Sequence, residues 1–192
     1  MSTSKTKLLK VAFEEIYQNG YHATSVDKIL KKASMNKGSM YYFFKSKKEL
    51  ILAIIDVHVD EYIAKKYGVI LESKDSMIDA IMAVLTDKPS YNFCFGCRLN
   101  NLVHELSNQD EDFKKALEQS YFKFEAIFQE ALDRAVQNGE IKKDTDTKAV
   151  GMFILATIQG GLTTAKKSSN SKYYDICIEQ LHNYLNFLKV SK

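Results

Sequence analysis

The sequence predicts an all-α protein of about nine helices. Proline and glycine, which interrupt helices, are scarce, since the 192 residues include one proline and eight glycines. Apolar residues make up 45% of the chain and charged residues 27%, a balance that supports a buried core beneath a polar surface. Apolar side chains also recur at helical spacing in successive segments, as on the buried face of an amphipathic helix.

The first two helices are short and lie close together in sequence. Apolar residues recur at helical spacing over residues 4–19, and Gly20 can end this helix in the left-handed conformation. Thr24 or Ser25 can cap a second helix, which ends near Ala33.

The next two helices begin with clear capping residues. Asn36 caps a third helix over about residues 37–43, so only about three residues separate it from the second helix. Two short helices joined so tightly predict a helix-turn-helix. Ser46, with Glu49 completing a capping box, begins a long fourth helix that extends to about Tyr67.

Five further helices are expected in the rest of the chain, each bounded by polar or helix-breaking residues such as Pro89 and Gly139. They are predicted over residues 74–87, 93–107, 110–138, 144–167 and 171–189.

Charge is distributed unevenly along the chain. Residues 1–50 carry a net charge of +6 and the remaining residues a net charge of −3, which indicates that the first part binds a polyanion. The sequence has no apolar run of the roughly 18 residues that a membrane-spanning helix needs, and its N-terminus lacks the apolar segment of a signal peptide. We therefore expect a cytoplasmic protein with no membrane partner, whose three cysteines stay reduced.

Residues Thr6–Ile51 resemble the DNA-binding domain of the TetR family of transcriptional repressors. The resemblance is carried by Asn19-Gly20-Tyr21, by Ala23-Thr24-Ser25-Val26 and by the pattern Lys37-Gly38-Ser39-x-Tyr41-x-x-Phe44-x-x-Lys47-x-x-Leu50. It implies a homodimer with a three-helix DNA-binding domain, residues 1–47, and a ligand-binding and dimerisation domain, residues 48–192. It also implies a repressor that a small-molecule effector releases from double-stranded operator DNA.

The third helix has the two faces that a recognition helix needs. Met40 and Phe44 lie four residues apart and should pack on the first two helices, which leaves polar groups to face the major groove. Phe43 stands where many family members carry a polar residue, and its role stays unassigned. The residues expected to contact DNA are Thr24, Ser25, Lys37, Gly38, Ser39, Tyr41, Tyr42 and Lys47.

The segment Phe95–Leu117 resembles a branch of the same family in which a cysteine responds to electrophiles or oxidants, and Cys97 occupies the matching position. A place in the first turn of a helix beside Arg98 would lower the pKa of this thiol. The alternative is a buried structural thiol. Cys94 and Cys97 provide only two of the four ligands that zinc requires, so neither a metal nor another cofactor is expected.

A non-covalent effector pocket is the more general expectation, with an apolar wall and a few polar groups. Its candidate residues are Tyr62, Phe93, Cys97, His104, Tyr121, Phe122, Phe128, Phe153 and Gln159. Gly160 and Gly161 lie within a predicted helix, where glycine lowers helix stability. Close approach of another helix would justify them, so we expect a dimer interface in the last two helices. Its candidate residues are Gly160, Gly161, Ile176, Leu181 and Leu185.

Two other classes of protein account for less of the sequence. An enzyme is not expected, because the chain contains no phosphate-binding glycine loop, HExxH or GxSxG pattern. A helical protein-interaction module without DNA binding would explain the helices but not the basic segment or the pattern from Lys37 to Leu50.

Overall fold

The computed structural model describes residues 3–190, and helices dominate this part of the chain. The fourth helix, α4, has two α-helical parts, Lys47–Ile54 and Glu61–Tyr67, joined by a π-helical stretch, Ile55–Asp60. Within residues 3–190 the other α-helices are α1 (Thr3–Asn19), α2 (Val26–Ala33), α3 (Lys37–Phe43), α5 (Met77–Thr86), α6 (Arg98–Leu106), α7 (Glu111–Gln137), α8 (Thr147–Ala165) and α9 (Lys172–Leu188). The predicted all-α fold is confirmed.

Three of the predicted N-caps are confirmed by their hydrogen bonds. The side-chain oxygens of Ser25, Asn36 and Ser46 each accept from the backbone N–H three residues further on, at 3.1, 2.8 and 3.1 Å. Between α2 and α3, Ser34 takes the left-handed conformation with φ of 54°. The two helices of the helix-turn-helix are therefore joined by a tight turn of three residues, as the sequence predicts.

One predicted helix boundary is wrong. The helix expected over residues 93–107 begins only at Arg98. The side-chain oxygen of Asn92 accepts from the backbone N–H groups of Cys94 and Phe95 at 3.0 and 3.1 Å, and Gly96 has φ of +77°. These residues form a turn, because an asparagine side chain competes for backbone donors that a helix would use.

The chain divides into two compact units. The first contains Met1–Tyr62 and Arg98–Ser120, and the second contains Ile63–Cys97 and Tyr121–Lys192. The DNA-binding domain expected over residues 1–47 lies within the first unit, and the boundary after residue 47 stays a prediction. Its terminal residues 1–2, like residues 191–192 of the second predicted domain, lie outside the described residues.

The first unit has an apolar core built from α1, α2, α3 and the first part of α4, with Leu8, Ile29, Met40 and Leu50 completely buried. A carboxylate also lies inside it. Glu15 of α1 is 1% exposed, and it forms ion pairs with Lys28, at 3.1 Å, and with Lys32 of α2.

The second unit has an aromatic core. The ring of Tyr67 lies 4.4 Å from that of Phe124, and the ring of Tyr91 lies 5.1 Å from that of Tyr174. Burial raises the pKa of Tyr91 to about 12, so its hydroxyl stays protonated. Helices α8 and α9 pack closely where Gly161 meets Tyr174. A Cβ atom placed at Gly161 would lie only 3.1 Å from the Tyr174 ring. None of the helices within residues 3–190 has the length and apolar character needed to cross a membrane.

We predict that Glu15→Gln lowers the thermal midpoint Tm at neutral pH, because it removes the charge that joins α1 to α2. The hydrogen bond from Lys32 holds the pKa of Glu15 below its ordinary value of 4.5, although burial acts in the opposite direction. A carboxyl with a lowered folded pKa stabilises the protein above its unfolded pKa, and this contribution is lost as the pH falls through the folded pKa.

Thermal unfolding followed by circular dichroism should therefore show a Tm difference of about 4 °C at pH 7, the shift that roughly 1–2 kcal/mol produces in a protein of this size. The difference should shrink as the pH falls below 4.5. Glu14→Gln, at the exposed neighbouring position, is the matched control and should leave Tm unchanged. Equal Tm values for the Glu15→Gln variant and the parent chain at pH 7 would contradict the assignment.

Candidate DNA-binding surface and effector site

Helix α3 separates its apolar core residues from its exposed aromatic residues. Met40 is completely buried and Phe44 is 5% exposed, which confirms that both pack inward. Tyr41 and Tyr42 lie on the opposite side and are 55% and 84% exposed. Two neighbouring tyrosines on a solvent-facing helix offer apolar surface and hydroxyl groups to a partner.

Phe43 lies between these two sets. It is half-buried, and its ring meets the ring of Tyr42 edge to face, with 5.0 Å between the centroids. Phe43 therefore supports the side chain of Tyr42, a role that the sequence left open.

The first turn of α3 presents a lysine and a glycine. Lys37 is exposed, and its Nζ lies 3.0 Å from Oδ1 of Asp27. This hydrogen bond raises the pKa of Lys37, so the ammonium stays charged. Gly38 is exposed, and Ser39 is half-buried with its hydroxyl donating to Oδ1 of Asn36 at 3.0 Å.

Two of the residues expected to contact DNA instead form contacts within the first unit. Thr24 is completely buried, and its hydroxyl donates to the backbone oxygen of Gly20 at 2.7 Å. Lys47 donates to the backbone oxygen of Tyr21 at 2.6 Å and lies 3.7 Å from the centroid of its ring. Burial lowers the pKa of Lys47. We therefore leave the buried Thr24 out of the candidate surface, whereas DNA contact by the half-buried Lys47 stays a prediction and the exposed Ser25 remains in the surface.

A carboxylate from α6 fixes the turn between α1 and α2. Oε2 of Glu105 accepts from the backbone N–H of Tyr21 at 2.7 Å and from that of His22 at 3.4 Å. Gly20 has φ of +87°, and a Cβ there would lie 2.8 Å from Oε1 of Glu105. The glycine is thus required both for its backbone conformation and for this close approach.

A second charged contact joins the start of α4 to the residues before and within the first turn of α7. Nζ of Lys48 lies 2.7 Å from Asp110 and 2.6 Å from Asp112. The two carboxylates raise the pKa of Lys48, and the lysine lowers the pKa of Asp110. These contacts connect residues 62 and 64 positions apart, so sequence spacing gave no signal for them.

In the second unit, two of the candidate effector residues meet directly. The hydroxyl of Tyr121 donates to Oε1 of Gln159 at 2.8 Å, which joins α7 to α8. Burial raises the pKa of Tyr121. Gln159 is only 8% exposed, so a polar group lies within an apolar part of this unit.

The other candidate effector residues lie in several places. In the second unit Phe128 is completely buried, Phe93 packs against Tyr174, and Phe122 and Phe153 are 61% and 47% exposed. Tyr62 and His104 belong to the first unit. The guanidinium of Arg98 lies 3.8 Å from the ring centroid of Tyr62, and His104 is exposed. The structure therefore places Tyr121 and Gln159 together, and the buried Glu125 follows Tyr121 by one helical turn on α7.

Cys94, Cys97 and Cys177 are present as thiols rather than in disulfides. Cys97 is buried and Cys94 is exposed. The sequence predicts Cys97 in the first turn of a helix. In the structure α6 begins at Arg98, so Cys97 directly precedes the helix. Within residues 3–190 no group of three or more histidine, cysteine or carboxylate side chains is arranged to hold a metal ion.

Three of the five residues predicted for the dimer interface are buried within a single chain. Gly161, Leu181 and Leu185 are buried within their own unit, because α8 and α9 pack on each other and on the core through these residues. Gly160 and Ile176 are exposed. Four apolar or aromatic residues that the sequence reasoning did not assign to this interface are also exposed on the two helices, namely Met152, Phe153, Tyr184 and Phe187.

The tight helix-turn-helix formed by α2 and α3, with the exposed face of α3, is typical of helix-turn-helix DNA-binding proteins. Residues 8–54 match the family described as "Bacterial regulatory proteins, tetR family", and residues 75–181 match "Tetracyclin repressor-like, C-terminal domain". The chain belongs to the TetR family of DNA-binding transcriptional regulators. This membership favours DNA binding over the alternative of a helical interaction module.

Individual relatives agree with this assignment. An HTH-type transcriptional regulator in the lacX 3′ region of Lactococcus lactis subsp. lactis is 35% identical over 170 residues, which cover 86% of this chain and 85% of that protein. The HTH-type transcriptional regulator LmrA of Bacillus subtilis is 26% identical, with 93% of this chain and 96% of that protein covered.

Solved structures show the same fold. A TetR-family regulator from Cytophaga hutchinsonii superposes with a TM-score of 0.88 at 17% identity, covering 100% of this chain and 99% of that one. The reduced form of NemR from Escherichia coli superposes with a TM-score of 0.84 at 21% identity, covering 94% of this chain and 95% of that one.

We predict that Glu105→Ala weakens DNA binding by about tenfold and lowers Tm, because the half-buried backbone N–H of Tyr21 loses its carboxylate acceptor, a hydrogen bond worth about 1.5–3 kcal/mol. Fluorescence anisotropy with a duplex from the intergenic region beside the gene measures the affinity, and circular dichroism measures Tm. Glu111→Ala, at an exposed carboxylate, is the control. Unchanged affinity in the Glu105→Ala variant would show that the turn does not depend on Glu105.

Proposed function

We propose that this regulator is a homodimeric repressor that leaves its operator when a small-molecule effector binds. The observation that carries the proposal is the two-sided α3 helix, with Met40 and Phe44 in the core and Tyr41 and Tyr42 exposed. A repressor needs such a helix to enter the major groove while the rest of its domain contacts the backbone of the DNA.

The proposed DNA-binding surface consists of the exposed residues at the start of α2 and along α3. Tyrosine and serine hydroxyls and the Lys37 ammonium suit phosphate oxygens, and the exposed Gly38 lets the backbone approach closely. Phosphates would compete with Asp27 for Lys37, which makes this ion pair sensitive to DNA. The proposed members are Ser25, Lys37, Gly38, Ser39, Tyr41 and Tyr42.

The proposed dimer forms through the outer faces of α8 and α9. Ile176 is 51% exposed and Phe187 is 71% exposed, and the rings of Phe153 and Tyr184 lie 5.4 Å apart on the same pair of helices. Apolar surface of this kind on two adjacent helices is typical of a subunit interface. A symmetric dimer would present two copies of α3 to successive half-sites.

The effector would act by shifting a population. Release requires the effector to bind the conformation with low DNA affinity more tightly than the conformation with high DNA affinity. The hydrogen-bonded pair Tyr121 and Gln159 supports an effector site in the second unit, because a small number of polar groups in an apolar environment is typical of ligand pockets.

The thiol-sensing alternative, in which modification of Cys97 releases the repressor, has less support. A reactive thiol is favoured by exposure and by a position near a helix N-terminus or a cation. Cys97 directly precedes α6 but is buried, and the exposed thiol in this region is Cys94. We therefore favour a non-covalent effector.

We predict that Tyr42→Ala weakens operator binding by about tenfold without unfolding the protein, because base and phosphate contacts typically contribute about 1–3 kcal/mol. Tyr42 is 84% exposed, so its loss should leave the core intact. An electrophoretic mobility titration with the intergenic duplex measures affinity. Phe122→Ala, another exposed aromatic residue outside α3, is the control. If Tyr42→Ala binds as tightly as the parent chain, α3 does not read DNA as proposed.

We predict that Ile176→Asp converts the dimer into a monomer, because a charge would be buried in an apolar interface. Light scattering after size-exclusion chromatography should give the 21.9 kDa mass of one chain for the variant and twice that mass for the parent. Val69→Asp introduces the same charge at a 46% exposed apolar residue outside α8 and α9, and it should remain dimeric. A dimeric Ile176→Asp variant would place the interface elsewhere.

A further inference from the structure

Two buried polar atoms in the second unit have no hydrogen-bond partner. They are Oε1 of Glu125 and Nε2 of Gln159, and both residues are 8% exposed. Buried polar groups in folded proteins are nearly always paired, because each unpaired one carries its full desolvation penalty. An unpaired oxygen of a carboxyl group is the more costly of the two, because carboxyl groups lose more hydration free energy on burial than amides do.

These two atoms belong to one region. Gln159 accepts a hydrogen bond from Tyr121, and Glu125 lies one helical turn after Tyr121 on the same face of α7. Further along the two helices, Gly151 of α8 meets Gln129 of α7, where a Cβ would lie 3.3 Å from the backbone nitrogen. The contacts run in opposite directions along the two helices, so Glu125 lies between them and faces α8.

The chemistry of the two atoms is complementary. An ionised carboxylate only accepts hydrogen bonds, whereas the amide nitrogen of Gln159 only donates them. Their surroundings along the helices are apolar, since Phe124, Phe128 and Leu155 are all buried. A molecule that satisfies both atoms therefore needs a donor, an adjacent acceptor and an apolar body.

We infer that Glu125 and Gln159 recognise an organic amine, whose ammonium group donates to Glu125 while a neighbouring oxygen accepts from Gln159. The amine is favoured over a neutral alcohol because an ammonium group forms the stronger, charge-assisted hydrogen bond with a carboxylate. This inference rests on the proposed function, since it gives the chemical class of the effector. Glu125 is its central residue.

Glu125 also lowers the stability of the ligand-free chain. A buried carboxylate oxygen without a hydrogen-bond partner lowers stability, and binding sites commonly retain such costs. Replacement by an apolar side chain of similar length removes the cost. Glu125→Met should therefore raise Tm by about 2–4 °C, as a gain of roughly 1 kcal/mol does in a chain of this size.

Three probes with one apolar body test the inference on the full chain. Isothermal titration calorimetry with 4-phenylbutylamine, 4-phenylbutan-1-ol and 4-phenylbutyrate compares a cation, a neutral group and an anion. We expect the amine to bind the parent chain at least about tenfold more tightly than the carboxylate, because the amine forms a charge-assisted hydrogen bond with Glu125 whereas a second carboxylate is repelled. Glu125→Gln should remove this preference and leave alcohol binding nearly unchanged.

The control is Glu118→Gln, the same chemical change at an exposed position of α7, which should bind all three probes like the parent chain. Equal affinity for the amine and the carboxylate would overturn the inference, and so would an amine that does not bind at millimolar concentration. Amine binding that survives Glu125→Gln would also overturn it. Each of these results means that a buried water or a rearranged side chain satisfies the two atoms. A Tm lowered by Glu125→Met would show that Glu125 is structural.

DNA binding separates this inference from the proposed function. Without probes, Glu125→Gln should bind the intergenic duplex like the parent chain, and 4-phenylbutylamine should weaken DNA binding by the parent chain only. If the parent chain fails to bind that duplex, the proposed function fails while calorimetry still tests the amine site. If DNA binding is intact and calorimetry shows no amine preference, the inference alone fails.

Discussion

The position of α3 depends on the turn between α1 and α2, and that turn is held by hydrogen bonds to its backbone. Glu105 accepts from the backbone N–H of Tyr21, and Lys47 donates to the backbone oxygen of the same residue. The hydroxyl of Thr24 donates to the backbone oxygen of Gly20. Because the link between α2 and α3 is only three residues long, a displacement of this turn would be carried directly to α3. The proposed DNA-binding surface therefore depends on hydrogen bonds formed by residues beside it.

These hydrogen bonds also give regulation a physical route. Within the first unit, Glu105 of α6 accepts from the backbone of Tyr21 in the α1–α2 turn, and Asp112 in the first turn of α7 pairs with Lys48 at the start of α4. Helix α7 carries Tyr121 and Glu125 further along its length. Movement of α6 or of the first turn of α7 would alter the contacts made by Glu105 and Asp112, and the proposed function requires that effector and DNA bias one such element.

The sequence predicted most accurately the features that depend on neighbouring residues. The caps Ser25, Asn36 and Ser46 and the limits of α3 follow from hydrogen bonds that span three or four positions. The contact between Glu105 and Tyr21 spans 84 positions, and no local pattern encodes it. The contact between Lys47 and Tyr21 spans 26 positions, and it is equally absent from any local pattern.

Periodicity also fails where a helix has two apolar faces. In α9, Leu181 and Leu185 fill the core while Ile176 and Phe187 face outward, and both sets recur at helical spacing. The sequence shows an apolar pattern in each case but not which face the neighbouring helix covers. Interfaces with a second copy are therefore resolved only when the intrachain packing is known.

In each proposed site the single chain either exposes an apolar side chain or buries a polar atom without a partner. Tyr42 exposes most of an aromatic ring, Ile176 exposes half of an apolar side chain, and Glu125 buries a carboxylate oxygen without a partner. Each arrangement costs free energy that a partner would recover, namely DNA for the first, a second subunit for the second and a cationic ligand for the third. Aromatic residues alone are a poorer guide, because Phe128 was an equally plausible ligand residue in the sequence and is entirely engaged in core packing. The unpaired carboxylate therefore carries more information about the effector than the aromatic residues of α7.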